Sequence, residues 1–244
     1  MLTNLVQSAK VRQPTGRRIL LANAKGGCGK TTIATNLASY YARAGYSCAL
    51  IDCDPQGSSS QWLRSREDTL PDITGVEAYK AGPGATRNYQ MRLPREISRV
   101  IIDTPAALAG GELDDQIRQT DLIVVPVLPS SIDIHAATRF ISRILLSVEY
   151  RRRPKPLLVI ANRVRQRTVA MTKLDTFLRS LKLPHIGTLR DTQLYVQCAE
   201  QGRGIVDTSG KRFAADTQRW HEIHDTIEHY LQHEGPPYRQ SGTY

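Results

Sequence analysis

Arg18-Ile19-Leu20-Leu21-Ala22-Asn23-Ala24-Lys25-Gly26-Gly27-Cys28-Gly29-Lys30-Thr31-Thr32 carries an apolar run of strand type into a glycine-rich loop and then into a Lys-Thr pair that opens a helix. That order is a phosphate cradle. Glycines let successive backbone N–H groups converge on an anion, Lys30 supplies a point charge for β- and γ-phosphates, and the Thr31 hydroxyl can complete a Mg²⁺ shell. The helix that follows aims its positive end at the same place. In the common Gly-x-x-x-x-Gly-Lys-[Ser/Thr] pattern the first glycine would stand where this chain has Ala24, and Lys25 comes next, so the loop is a variant with two lysines. A glycine-rich surface turn would explain the composition, but not its place between a buried strand and an amphipathic helix.

Outward from the loop the chain alternates strand and helix signals. Thr31 to Ala44 is rich in Ala and Leu and stops at Gly45, a helix with its C-terminal glycine. Ser47 to Asp52, Arg99 to Asp103, Asp121 to Val127 and Leu157 to Ala161 are short continuous apolar runs of buried-strand type, with a further strand expected at His185 to Leu189. Between them Ile134, Ala137, Ile141, Ile144, Leu145 and Val148 form one helical stripe, and Leu174, Phe177, Leu178 and Leu181 form another. A last helix is predicted from about Arg212 to Leu231. Residues 64 to 98 are polar and broken by Pro and Gly, and carry only a weak strand near Ile73 to Ala78 and a helix near Ala85 to Arg92. The expected fold class is α/β, a three-layer P-loop NTPase whose mostly parallel, doubly wound sheet is flanked by helices. One domain is expected over 18–233, after an N-terminal extension (1–17) in which Leu2 to Ala9 could form a short helix, and before a polar tail (234–244).

Ligands in such sheets bind at the carboxyl ends of the strands, so acids placed there are the next candidates. Asp103 closes Val100-Ile101-Ile102, the Walker B arrangement in which a carboxylate holds Mg²⁺, usually through its water shell. Asp52 and Asp54 follow the second strand in Asp52-Cys53-Asp54-Pro55-Gln56-Gly57. Asp54, on a loop before Pro55, suits a carboxylate that orients an attacking water, whereas Asp52 reads equally well as a strand-end cap. Thr31, Asp54 and Asp103 are the candidate metal-holding residues.

With 33 Lys plus Arg against 23 Asp plus Glu, the 244-residue chain carries a formal charge of +10, which favours a polyanionic partner, nucleic acid or an anionic membrane. Cys28, Cys48, Cys53 and Cys198 include no Cys-x-x-Cys pair, which argues against thiolate metal ligation and fits reduced thiols in a cytosol. No apolar run approaches membrane-spanning length and no signal-peptide stretch opens the chain, so the protein is expected to stay in the cytoplasm where it is made.

Together, Lys25 to Thr32, Asp52 to Gly57 and Ile101-Ile102-Asp103-Thr104-Pro105 resemble the deviant Walker A, A′ and B boxes of the ParA/MinD ATPases, over about Arg18 to Leu231. The short segment before the first strand is similar to short ParA types without an N-terminal helix-turn-helix domain. The resemblance implies ATP and Mg²⁺ as cofactors, slow partner-stimulated hydrolysis, and a homodimer in the ATP state in which Lys25 reaches the partner's phosphates. Lys25, Lys30 and Asp54 would then be catalytic. Gly26, Gly27, Cys28, Gly29, Lys30, Thr31 and Thr32 would bind nucleotide, and Asn162 would lie near the adenine, although a bare Asn after a strand reads equally as a loop residue.

The tail carries two prolines and no apolar face, which removes the amphipathic membrane helix of MinD-like members, so no membrane partner is expected. ParA-like members bind double-stranded DNA without sequence preference, and by that resemblance Arg190, Arg203, Lys211, Arg212 and Arg219 are candidate contacts. Basic residues that some members carry near there are replaced by Leu194 and Tyr195. Arg151, Arg152, Arg153 and Lys155 form a second cluster, and Arg163, Arg165 and Arg167 a third. The resemblance further implies a ParB-like or McdB-like activating adaptor and a cargo such as a plasmid, a chromosome or a carboxysome. An ATP-driven regulatory switch without transport, and a metabolic enzyme of dethiobiotin-synthetase type, are the alternative readings.

Overall fold

The computed structural model describes residues 16–81, 93–106, 108, 110–165 and 168–233. Leu2 to Ala9, the helix expected near Ala85 to Arg92, Arg167 and the tail from 234 lie outside the described residues.

Seven parallel strands form one sheet in the order β3-β2-β4-β1-β5-β6-β7, with β1 Arg17–Leu21, β2 Cys48–Asp52, β3 Thr74–Glu77, β4 Arg99–Asp103, β5 Leu122–Val127, β6 Leu157–Val164 and β7 His185–Arg190. The helices are α1 Lys30–Arg43, α2 Ser58–Arg64, α3 Gly110–Arg118, α4 Ser131–Leu146, α5 Val148–Arg152, α6 Val169–Ser180, α7 Leu194–Glu200 and α8 Lys211–Gln232. Successive strand residues point to opposite faces. Ile19 and Leu21 therefore enter one core with Ile33, Leu37, Tyr41, Trp62, Trp220 and Ile227, while Leu20 and Ala22 enter the other with Leu113, Ile117, Phe140, Ile144 and Leu174. Both faces are dry, which is why the strands are continuous apolar runs with no polar alternation.

Register fixes the site. Leu21 stands opposite Asp103, and Asp103 opposite Asp52, so the carboxyl ends of β1, β4 and β2 finish at one level. The chain turns one way from β1 to β2 and the other way from β4 across to β5, and the loop after β1 lies at that reversal.

Three expectations are corrected. The stripe expected from Ile134 through Val148 breaks at Ser147, whose extended backbone ends α4 and whose hydroxyl accepts from the Tyr150 N–H at 3.2 Å to cap α5. Tyr150 is buried in consequence, and Val148 is left 71% exposed. β6 runs past Ala161 to Val164 through a bulge, with Arg163 at φ 52°. Lys155 is not a surface charge: it is buried, donates to the carbonyls of Ile117 and Thr120, and burial pushes its pKa down to about 8.

Candidate nucleotide site

α1 is preceded by Gly29 at its cap position, whose left-handed backbone (φ 96°) offers no side-chain cap, and the helix has no acid in its first turn. Its leading N–H groups are left for a ligand, as an anion site requires. By contrast, α4 is closed in the ordinary way, with the Ser130 hydroxyl accepting from the Asp133 N–H. Gly29 is also forced by space, since a Cβ there would stand 2.0 Å from Asn162 Nδ2. Gly27 takes φ 74°, and a Cβ there would meet nothing within 4 Å among the described residues, so its need is backbone freedom.

The two lysines of the loop differ. Lys30 is 7% exposed and its ammonium donates to the Lys25 carbonyl at 3.4 Å, while the Lys25 side chain is exposed. Among the described residues neither lysine has a carboxylate within ion-pair distance. Asn23 sets the loop's entry: its amide donates to the Pro126 carbonyl of β5 at 2.7 Å, and its Oδ1 accepts the Lys25 N–H at 3.1 Å. On the far side Asn162 donates to the Cys28 carbonyl at 2.9 Å and accepts the Arg163 N–H, so this residue lies against the loop with both amide atoms engaged.

The three acids separate by their partners. Asp52 Oδ2 accepts from both the N–H and the hydroxyl of Ser60 at 2.8 Å, and its Oδ1 accepts the Asp54 N–H at 3.1 Å, so Asp52 is the strand-end cap. Asp54 is half-buried, its Oδ1 accepting the Gln56 N–H at 3.0 Å in a tight turn. Asp103 is buried, with Oδ2 accepting from Ser59 at 2.5 Å and Oδ1 left without a hydrogen-bond partner among the described residues. Burial raises the Asp103 pKa to about 6, while the hydroxyls of Ser59 and Thr31 pull it down, neighbouring Asp52 pushes it up, and Lys30 pulls it down. Thr104, next in the chain, donates to the Leu21 carbonyl at 2.7 Å and ties β4 to the root of the loop.

The orphaned Oδ1 of Asp103, with the Thr31 hydroxyl nearby, fits a hydrated Mg²⁺ whose remaining ligands are phosphate oxygens and water. Among the described residues no group of three or more His, Cys, Asp or Glu side chains gathers to cage an ion, and a magnesium held through nucleotide needs none.

The Asp103 proton gives a test. Its folded value lies above the ordinary carboxylate value of about 4, so the folded state holds the proton more tightly than the unfolded chain does. That contribution to stability is present below about pH 4 and is lost as pH rises through about 6. In the absence of nucleotide, the urea midpoint should fall across this window, and Asp103→Asn should flatten the fall by up to ~3 kcal/mol. An equal fall in the variant would remove Asp103 as its source.

Asn23, Ser59, Ser60 and Thr104 were not readable as site residues, because small polar side chains beside a turn look like local caps until the neighbouring strand is known. The cations divide by place. Arg163, Arg165, Arg190, Lys211 and Arg212 lie at the carboxyl edge of β6 and β7, as Arg190 at the end of β7 also reaches the Arg212 carbonyl at the start of α8. Arg190 is held by buried Asp216 at 2.5 Å, Arg203 by Glu67 at 2.7 Å and Arg165 by Asp191 at 2.7 Å. Lys211, Arg212 and Arg219 have no ion pair among the described residues. Arg151 to Arg153 lie at the opposite edge, where Arg153 approaches Asp121 before β5.

Residues 19–205 match the family model described as the CobQ/CobB/MinD/ParA nucleotide binding domain. The maintenance of carboxysome distribution protein A of Halothiobacillus neapolitanus is 29% identical over 81% of this chain and 91% of its own. The chromosome-partitioning ATPase Soj of Thermus thermophilus is 56% identical over 46% of this chain and 54% of its own. The McdA(D38A)–ATP complex of Cyanothece shares the fold, with a TM-score of 0.69 at 16% identity over 88% of this chain and 97% of that one. With an uncapped helix behind a two-lysine loop and a buried strand-end aspartate beside it, the chain belongs to the CobQ/CobB/MinD/ParA nucleotide-binding family.

Proposed function

We propose that the protein is an ATPase of ParA type that dimerises around ATP, binds duplex DNA in that state, and positions or segregates a cargo until a partner protein triggers hydrolysis. The observation that carries this reading is the exposed, unpaired Lys25 at the rim of a loop whose interior charge is already supplied by Lys30. Among the described residues Lys25 has no carboxylate within ion-pair distance, and a second subunit's phosphates would give it a partner. A cation delivered that way neutralises charge on the transferring phosphoryl group and makes hydrolysis conditional on dimerisation. Ile132 and Val169 support the same face, since both are large apolar residues opening helices at the carboxyl edge of the sheet, 73% and 76% exposed.

Within one subunit, Lys30 and the first N–H groups of α1 bind the phosphates. Thr31 and Asp103 would hold Mg²⁺, which when bound draws charge from the β- and γ-oxygens. Asp54, on the loop that closes over the γ-phosphate position, would orient the attacking water, and Asn162 would face the base. The relatives named for carboxysome distribution and for chromosome partitioning make a cargo of that kind the reading for this chain, served by an adaptor of ParB-like or McdB-like type. For DNA, the unpaired Lys211, Arg212 and Arg219 contribute more free charge than the neutralised Arg190 and Arg203.

ATP with Mg²⁺ should cause the protein to retard duplexes of arbitrary sequence, with affinity falling steeply between about 50 and 200 mM salt. ADP should not. Equal retardation without nucleotide, or none with ATP, refutes the DNA step, and stimulation of turnover by a small carboxylate or amine substrate would favour a biosynthetic enzyme.

A further inference from the structure

The first turn of α2 carries Ser58-Ser59-Ser60, and its two inward serines serve different strands. Ser59 donates to Asp103 Oδ2 at 2.5 Å, at the end of β4, while Ser60 donates to Asp52 Oδ2 at 2.8 Å, at the end of β2. Asp52 and Asp103 are register partners on adjacent strands, so a single helical turn grips both carboxylates. Their states differ. Asp52 has partners on both oxygens, whereas among the described residues Asp103 has one oxygen held and the other buried without a hydrogen-bond partner.

A carboxylate's terminal torsion is broad and nearly two-fold, so a buried group with one unsatisfied oxygen lowers its energy by turning toward any donor. Ser59 removes that freedom. The serine is fully buried, its bond is charge-assisted and short, and it occupies the oxygen that would otherwise compete. We infer that Ser59 is a positioning residue for the metal-holding carboxylate, fixing Asp103 Oδ2 so that Oδ1 stays presented beside Thr31 and Lys30. Ser59 lies two residues after Gly57, which ends the Asp54 turn, so the same bond joins the loop carrying Asp54 to the carboxylate. The inference rests on the reading of Asp103 as the residue that holds Mg²⁺.

The test is a titration of Mg²⁺ at fixed fluorescent ATP analogue, reading nucleotide binding and not turnover. Ser59→Ala should raise the half-saturating Mg²⁺ concentration about tenfold or more, the usual consequence of losing an outer-shell partner. Ser59→Cys, of similar volume with a weaker donor, should fall between. Binding of the analogue in EDTA should be unchanged in both, which a merely structural loosening of α2 would not leave alone. Ser60→Ala releases the same turn from Asp52 without touching Asp103, and should shift the Mg²⁺ response less than about twofold. A wild-type response in Ser59→Ala, an equal shift in Ser60→Ala, or a parallel loss in EDTA overturns the inference. Asp103→Asn separates the two levels: if it keeps the wild-type titration, the metal reading of Asp103 fails, whereas if it abolishes the response while Ser59→Ala does not, the positioning role alone fails.

Discussion

Lys30→Ala should weaken ATP binding by about 10²–10³-fold while leaving the apo protein as stable as before, or more so. The first half follows from Coulomb's law. An ammonium about 4 Å from a phosphate oxygen at an effective dielectric near 20 contributes roughly 4 kcal/mol, which is about three decades of affinity. The second half follows from what Lys30 lacks. It is buried with one long bond to the Lys25 carbonyl and no carboxylate within ion-pair distance among the described residues. Taking a charge out of water without a matching partner costs stability, and the truncated side chain no longer bears that cost. Isothermal titration with ATP and a urea melt of the apo variant read the two halves separately. Binding within about tenfold of wild type would displace Lys30 from the phosphates, while a large loss of apo stability would make it a structural residue.

Much of this arrangement is legible in the sequence, and the reason is the parallel sheet. Strands buried on both faces must be apolar at every position, so Arg99 to Asp103 and Asp121 to Val127 stand out from a polar background and their carboxyl ends can be counted off. The glycine loop was equally plain, because φ near 90° at Gly29 and the missing cap on α1 restrict which residues can stand there. The α4–α5 break was hidden, since Leu145 and Val148 continue the helical period and Ser147 reads as one more tolerated polar residue. Its role as a cap depends on Tyr150 finding a buried place under the Lys155 carbonyl, to which it donates at 3.0 Å. The place of Lys155 is hidden for the same kind of reason. A lysine in the string Arg151-Arg152-Arg153-Pro154-Lys155 looks like part of a solvated run, and only the packing of the segment before β6 against the end of α3 brings the Ile117 and Thr120 carbonyls to its ammonium.

The role of Asp52 is likewise open in the sequence, and its partners make it a strand-end cap. Asp52 is spent on three hydrogen bonds, two of them to Ser60. Replacing it removes a cap from α2 and a support from the Asp54 turn together, a structural lesion. The Asp54 side chain makes one hydrogen bond among the described residues, from the Gln56 N–H, and is half-buried.

Asp54→Ala is therefore expected to keep ATP and lose turnover. Losing the contact to Gln56 should cost about 1 kcal/mol of stability, as for a capping bond, and the Gly57 N–H bond to the Asp54 carbonyl at 2.8 Å survives because it is backbone to backbone. Binding should stay within a few-fold of wild type, since among the described residues no hydrogen bond from Asp54 reaches the loop of Lys25 to Thr32. Hydrolysis should fall by about 10²–10⁴-fold, the range for removing a group that orients or deprotonates an attacking water. If ATP joins two subunits and its cleavage releases them, the variant then accumulates as the joined form. Light scattering would give about twice the monomer mass in ATP and Mg²⁺ for hours, and duplex DNA would stay bound where the wild type lets go. Normal turnover would move the water-orienting role elsewhere, while slow turnover with monomer mass throughout would separate hydrolysis from assembly and leave Lys25 without its second-subunit phosphate.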